Sequence, residues 1–288
     1  MAINLSKVSF AYDSPKKNQL PRYVLKDINL SISDNHEFIT IVGHTGSGKS
    51  TLVQLLNALL VTDIGTVEIF NNTISKSKKI KLKEIRQKVG LVFQFPEYQL
   101  FEENILKDVC FGPKNFKLDN YEKLAKESLN KVGLDESYYE KSPFTLSGGE
   151  KRKVAIAGIL ASNPDVLIFD EPTAGLDPIA KQNLMDLLVL LNKEYKKTII
   201  IITHDMEIVG SISSRVILLD KGNIIFDGQK DDLFKNSDLV FNYNLDYPST
   251  VKILKNIKEK LNIDINEYKY NIDDAYLELQ RVLGDDHG

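Results

Sequence analysis

The 288-residue chain has no tryptophan, one cysteine, three methionines and four histidines. A single thiol, Cys110, cannot close an internal disulfide, and His36, His44, His204 and His287 show no spacing suited to a zinc site. A structural or catalytic transition metal is therefore not expected, and Cys110, inside Val109-Cys-Phe111, reads as a small buried packing residue. Long hydrophobic runs are missing as well. The most apolar stretch, Thr198 to Thr203, is far short of the roughly 20 residues that span a bilayer. The start, Met1-Ala-Ile-Asn-Leu-Ser, lacks the layout of a secretion signal, so a cytoplasmic location is expected. Nor is there an excess of one charge. With 37 basic and 40 acidic residues the net charge is −3, which excludes capture of nucleic acid or anionic membrane by the field of the whole chain.

What is present is an ordinary globular composition, 42% hydrophobic and 27% charged, enough for one large domain and an appendage. Short apolar segments alternate with helix-period segments through the first four-fifths of the chain, the pattern of an α/β protein with a largely parallel sheet. Glu37–Val42, Gly90–Phe93, Val166–Phe169 and Thr198–Thr203 are near-continuous apolar runs, as strands covered on both faces should be. Val24–Ile32 and Val216–Phe226, alternating or turned at Lys221-Gly-Asn, suggest an antiparallel β subdomain beside that sheet. Residues from about 95 to 158 read as a helix-rich block with a turn at Gly112-Pro113. From Lys230 the chain turns net acidic and loses its β-branched runs. Val251, Leu254, Ile257 and Leu261 keep helical spacing, so 230–288 is expected to be a small helical C-terminal extension of a domain spanning 1–229.

Gly43-His-Thr-Gly-Ser-Gly-Lys-Ser50 fits the phosphate-loop pattern and stands between a predicted strand and a predicted helix. Gly43, Gly46 and Gly48 let the backbone turn tightly with N–H groups pointing inward, and the helix start adds partial positive charge toward a polyphosphate. Lys49 would neutralise β/γ oxygens, and Ser50 would bind Mg²⁺. Further on, Val166-Leu-Ile-Phe-Asp170-Glu171 is an apolar strand ending in two carboxylates. Asp170 could hold the Mg²⁺ hydration shell and Glu171 could take the proton of an attacking water, although adjacent strand-end acids can also simply cap a loop. His204, after another apolar run, could bond the γ-phosphate or hold Glu171 and water in place, or could be structural. Gln94 could offer its amide oxygen to Mg²⁺ or water. Leu146-Ser-Gly-Gly-Glu150 opens a helix-period segment over Lys151–Ala161. Ser147 with Glu150 satisfies the capping-box pattern, and the helix start with its serine is also a potential anion site.

In this order, Tyr12, the loop 43–50, Gln94, the 146–150 signature, Asp170-Glu171, Ala174-Gly-Leu-Asp177 and His204, the chain resembles the ATP-binding cassette (ABC) family over residues 2–228. The resemblance implies a P-loop NTPase cassette: a parallel core sheet, an antiparallel β subdomain and a helical subdomain, hydrolysing ATP with Mg²⁺. It further implies that Tyr12 stacks on adenine, and that Gly43, His44, Thr45, Gly46, Ser47, Gly48, Lys49, Ser50 and Thr51 cradle the phosphates. Gln94 would couple magnesium to a membrane partner, and Asp177 would help bridge a head-to-tail dimer. Ser147, Gly148, Gly149 and Glu150 would meet nucleotide held by the other subunit, itself a sister ATPase or a second copy. One position departs from the family, whose signature usually ends in glutamine. Glu150 would carry a carboxylate toward the partner's phosphates unless the capping interaction holds it back.

Within the family, Val92-Phe-Gln-Phe-Pro-Glu-Tyr-Gln-Leu-Phe-Glu102, Phe111-Gly-Pro-Lys-Asn-Phe116 and Val154-Ala-Ile-Ala-Gly-Ile-Leu160 look most like the ATPases of energy-coupling factor transporters, the second of their two related types. Related importers of cobalt or nickel share nearly all these motifs. The implied partners are a multi-spanning coupling protein and a separate substrate-binding membrane protein, with no nucleic acid. Phe95, Tyr98, Leu100 and Phe101 beside Glu97, Glu102 and Glu103 suggest a groove with aromatic walls and an acidic rim for an arginine-bearing helix of the coupling protein. The rival is a nucleic-acid ATPase using the basic run Lys76–Lys88, relieved by Glu84 alone. Against it, Gln94 and Ser147 leave no room for the long coiled coil of chromosome-maintenance relatives.

Overall fold

The computed structural model describes residues 2–13, 21–62, 64–74 and 82–284. Strands β1 (Ile3–Phe10) and β2 (Leu25–Ile32) lead into β3 (Phe38–Val42) and helix α1 (Lys49–Leu56), followed by β4 (Ile64–Ile69) and β5 (Asn72–Ile74). Four of these strands form an antiparallel sheet in the order β2-β1-β4-β5. Ile3, Leu5 and Val8 of β1 and Leu25, Ile28, Leu30 and Ile32 of β2 are buried in a core shared with α1. Helix α2 (Leu82–Lys88) and β6 (Val89–Val92) precede a helical stretch of α3 (Ile105–Phe116), α4 (Tyr121–Lys131) and α5 (Gly148–Leu160). Then come β7 (Val166–Asp170), α6 (Pro178–Lys193), β8 (Thr198–Ile202), α7 (Met206–Ile212), β9 (Arg215–Asp220) and β10 (Asn223–Gln229). The second sheet runs β10-β9-β3-β8-β7-β6, parallel except for the β9–β10 hairpin. β3, β6 and β8 are buried along their whole length and β7 up to Asp170, which is why the sequence shows continuous apolar runs there.

Two sequence expectations are corrected. The Val216–Phe226 segment belongs to the main sheet and not to the antiparallel subdomain. β9 pairs in parallel with β3, and Val216 to Leu219 are all buried, while β10 is the half-buried edge strand of that sheet. The turn at Lys221-Gly222 is real, with φ of 45° and 83°, but it closes a hairpin at the edge of the parallel sheet. Second, Gly112-Pro113 is not a turn. α3 runs through Pro113, which merely withholds an N–H from the carbonyl of Val109. Gly112 serves packing: a Cβ there would come within 2.9 Å of Ser162 Oγ and 3.2 Å of the Gly158 carbonyl at the end of α5. Cys110, on the same helix, is buried and free, and burial pushes its thiol pKa up.

Residues after 229 form helices α8 (Lys230–Lys235), α9 (Ser237–Asn242), α10 (Ser249–Leu261) and α11 (Ile272–Leu283). Val251 and Leu254 are buried as the spacing predicts, whereas Leu261 at the helix end is 56% exposed. These helices are not loosely hung. Leu233, Phe234, Val240, Tyr247 and Val251 share one apolar cluster with Val42, Val209, Val216 and Leu218 of the main sheet and α7. Glu207 of α7 accepts hydrogen bonds from both the backbone N–H and the hydroxyl of Ser249, at 2.6 Å each, capping α10. Phe234→Ala is accordingly expected to cost about 3–5 kcal/mol of stability in a single cooperative transition. Equilibrium denaturation would check this, and a separate early transition for the C-terminal helices would contradict it.

Candidate active site

The phosphate loop spans the gap between β3 and α1, and its conformation is written in its glycines. Gly43 has φ of 140°, and a Cβ there would lie 2.1 Å from the carbonyl oxygen of Leu219, so the loop can pass β9 only without a side chain. Gly46 has φ of 82° with open space before it, a left-handed conformation facing a cleft. His44 fastens the loop from outside: its ring bonds Asp220 Oδ1 at 2.6 Å and the Thr45 carbonyl at 2.7 Å. Ser47 is fully buried, and its carbonyl accepts from the Gly222 N–H at 3.0 Å. Lys49, the first residue of α1, turns its Nζ back across the loop to the carbonyls of Gly43 (2.7 Å) and His44 (3.0 Å). Burial lowers the Lys49 pKa, and the charges of Glu171 and Asp170 pull it back up.

Opposite the loop, the ends of β7 and β8 deliver the acid pair and the histidine. The Asp170 carboxyl is pushed up by burial, while a hydrogen bond from the Ser50 hydroxyl and the charge of Lys49 oppose that rise. Glu171 stands just beyond β7 with φ of 47°, a left-handed conformation rare for a non-glycine residue. Its backbone N–H donates to the Ile202 carbonyl at 3.0 Å, tying the β7 end to β8. Its carboxylate meets His204 Nδ1 at 3.0 to 3.1 Å. This contact joins His204 to Glu171, one of the arrangements the sequence leaves open for it. A cleft of about 450 Å³ gathers Thr45, Gly46, Gly48, Lys49, Ser50 and Thr51 against Gln94, Asp170, Glu171 and His204.

Other singled-out residues lie outside that lining. Tyr12 stands beside the loop, 60% exposed, its hydroxyl 3.0 Å from Thr51 Oγ1 and its ring edge-on to Phe10. Residues 14–20 of the neighbouring irregular segment lie outside the described residues. Asp177 caps α6, its Oδ1 accepting from the Ala180 N–H at 2.9 Å. Ser147 is the N-cap of α5, and the capping box with Glu150 is complete. Glu150 Oε2 accepts from the Ser147 N–H (2.9 Å) and hydroxyl (2.7 Å), and Oε1 accepts from the Tyr138 hydroxyl (2.9 Å). These bonds hold the Glu150 carboxyl below its ordinary pKa and turn it onto its own helix start. At Gly148 and Gly149 an added Cβ would meet nothing within 4 Å, so the helix start presents bare backbone outward.

The groove expectation is partly corrected. Tyr98 is 85% exposed, and Phe101 and Phe111 are exposed and stacked edge-to-face, whereas Leu100 is buried. Glu97 is not part of a free acidic rim, because Arg152 holds it in a bidentate ion pair, and Glu103 pairs with Lys107. Arg152 is the residue that sequence reading missed. Its only signal is position: with Ile156 and Leu160 it forms an i, i+4, i+8 stripe of buried residues on α5, a cation in an apolar row. Of the basic run Lys76–Lys88, residues 76–81 lie outside the described residues. The remainder is α2, where Ile85 is buried, Arg86 donates to the Ala58 carbonyl and Lys88 sits over the Phe70 ring.

A glycine loop between a buried parallel strand and a helix, facing a strand-end acid pair, defines a P-loop nucleotide-binding protein of the α/β class. The sequence model of the ABC transporter family matches residues 25–174. The chain is 45% identical over 286 residues to the energy-coupling factor transporter ATP-binding protein EcfA2 of Clostridium tetani, covering 98% of both chains. It is 44% identical over 270 residues to that of Bacillus subtilis, covering 93% of this chain and 98% of the relative. Among solved structures, cbiO1 of Clostridium perfringens, part of the ABC transporter complex cbiONQ, superposes with a TM-score of 0.73 at 35% identity over 91% of this chain and 99% of its own. The dimeric ATP-binding cassette MJ0796 bound to ADP and Pi gives a TM-score of 0.68 at 32% identity, over 79% of this chain and 98% of its own. The chain belongs to the ABC transporter family, among its energy-coupling factor ATP-binding proteins.

Proposed function

We infer that this chain is the ATP-binding and ATP-hydrolysing subunit of an energy-coupling factor importer, powering uptake of a vitamin or other micronutrient. The observation that carries the reading is one cleft holding Lys49, the Ser50–Asp170 hydrogen bond and the Glu171–His204 pair. The oxygen donors Ser50, Asp170 and Gln94 suit a hard cation, and Mg²⁺ held by them would neutralise charge on the β/γ-phosphates. Lys49 binds the β/γ oxygens, and Glu171, oriented by His204, accepts the proton of the attacking water. Tyr12, exposed beside the loop, offers its ring face to adenine.

Residues 1–229 act as the cassette, 95–158 as its helical subdomain, and 230–288 as a helical extension. The signature lies outside the cleft with its backbone bare, which supports Ser147 and Gly149 completing the site of a second ATPase, sister or self. Two cassettes then close over two nucleotides, and hydrolysis reopens them. Among the described residues no helix is long and apolar enough to cross a membrane. The chain's likeness to transporter ATP-binding proteins supports a peripheral place at the cytoplasmic face, bound to a multi-spanning coupling protein, with selectivity residing in a separate membrane protein. Tyr98 and Phe101, exposed in the segment that follows Gln94, are the anchors for that coupling protein.

The test is to co-express the chain with its neighbouring ATPase and membrane genes, purify through a tag on this chain, and measure Mg-ATP hydrolysis. A multi-spanning protein should co-purify with activity, and Tyr98→Ala with Phe101→Ala should reduce its recovery about tenfold or more, as loss of two aromatic anchors implies. An active homodimer with no membrane partner would return weight to the nucleic-acid reading.

A further inference from the structure

Arg152 lies one turn into α5, directly behind the signature, and is 5% exposed. Its guanidinium reaches two segments at once. Nε and Nη2 donate to the two carboxylate oxygens of Glu97 at 3.1 and 3.0 Å, and Nη1 donates to the carbonyls of Pro172 at 3.0 Å and Ala174 at 3.1 Å. Glu97 sits in the short 3-10 turn Pro96–Gln99 that follows Gln94, and Pro172 and Ala174 are in the turn that follows Glu171. That second turn is closed on Glu171 itself, whose carbonyl accepts from the Ala174 N–H at 3.2 Å. Phe95, itself left-handed with φ of 54°, stacks near the guanidinium and comes within 3.6 Å of where a Cβ on Gly175 would be.

We propose that Arg152 is a positioning residue for hydrolysis: it braces the turn carrying Glu171 against both the signature helix and the turn that follows Gln94. Glu171 holds a left-handed backbone that needs its surroundings to fix it. Arg152 supplies that fixing through two carbonyls, and the Glu97 carboxylate in turn fixes Arg152. The fork geometry of arginine is what lets one side chain do this. A lysine ammonium at the same place is a point charge that cannot span a carboxylate and two separate carbonyls. The brace also makes the two turns move together, so a displacement of the exposed turn at Tyr98 reaches Glu171 through one side chain. This inference rests on the ATPase reading above.

The experiment uses the complex purified through this chain, with Arg152→Lys, Glu97→Gln and the double variant, measuring kcat and KM for Mg-ATP. Glu97→Gln keeps shape and burial, so it decides the matter if Arg152→Lys folds poorly. Because the cassettes open and close as a pair, the slower site sets the cycle. Misplacing a catalytic group by about 1 Å costs roughly 10²-fold in rate, so kcat should fall by about 10 to 100-fold in Arg152→Lys and by a smaller factor in Glu97→Gln. KM should stay within about twofold because the phosphate loop is untouched, and the double variant should be no slower than the worse single one. Values of kcat within twofold of wild type in both variants, a loss confined to KM, or additive losses would overturn the proposal. A wild-type complex that does not hydrolyse ATP would instead retire the ATPase reading and is thus a separate failure.

Discussion

Glu171→Gln is expected to lower ATP turnover by about 10² to 10⁴ while ATP still binds, the range general-base catalysis commands. The substitution is nearly isosteric. The amide can still meet His204, and the N–H donated to the Ile202 carbonyl belongs to the backbone, so the left-handed turn is kept. What disappears is the capacity to accept a proton from water. The residues that touch phosphate in this reading, Lys49 and Ser50, are unchanged, and nucleotide affinity should therefore stay within a few-fold of wild type. Steady-state hydrolysis together with equilibrium binding of ATP separates the two quantities. Turnover close to wild type would remove Glu171 from its role and leave it as a cap on the loop ahead.

Much of this site was legible in the sequence for a physical reason. Lys49, Asp170, Glu171 and His204 each stand at the C-terminal end of a strand buried on both faces, or just past the loop it feeds, and such strands print continuous apolar runs. The phosphate loop was legible because positive φ at 43, 46 and 48 requires glycine. The signature serine was legible as a cap, and the capping box did hold Glu150 back. Where local patterns under-determine long-range pairing, the sequence misled. Alternation in Val216–Phe226 reports a hairpin but not which sheet it joins, and the β3 partner that decides this lies far away in the chain. Pro113 looked like punctuation because its cost inside α3 is local, whereas the close approach that fixes Gly112 is tertiary. The Glu97–Arg152 pair spans 55 positions, so an acid that reads as a solvated rim residue is in fact bound to a buried cation. His44 is similar: its ring is taken by Asp220, 176 positions on.

Lys49→Ala should have the other large effect, and it should differ in kind. Removing a preorganised cation aimed at developing phosphate charge costs about 10² to 10³ in rate. Here the same side chain also binds the ground state, so KM or Kd for ATP should rise as well as kcat fall. The fold should tolerate the change. Among the described residues Nζ bonds the loop carbonyls of Gly43 and His44, and α1 keeps its buried face of Leu52, Val53, Leu55 and Leu56. Burial already disfavours the charged ammonium, with Glu171 and Asp170 restoring it, and deleting Lys49 in turn removes the positive charge that opposes the effect of burial on Asp170. Asp170, already pushed up by burial and losing the opposing charge of Lys49, should then titrate at still higher pH. With less carboxylate at a given pH, metal-dependent binding weakens further as pH falls. Nucleotide binding to Lys49→Ala, titrated with Mg²⁺ at two pH values, should show the larger deficit at the lower pH. An unchanged affinity at both would mean that the loop backbone alone carries the phosphates, with Lys49 acting only on the transition state.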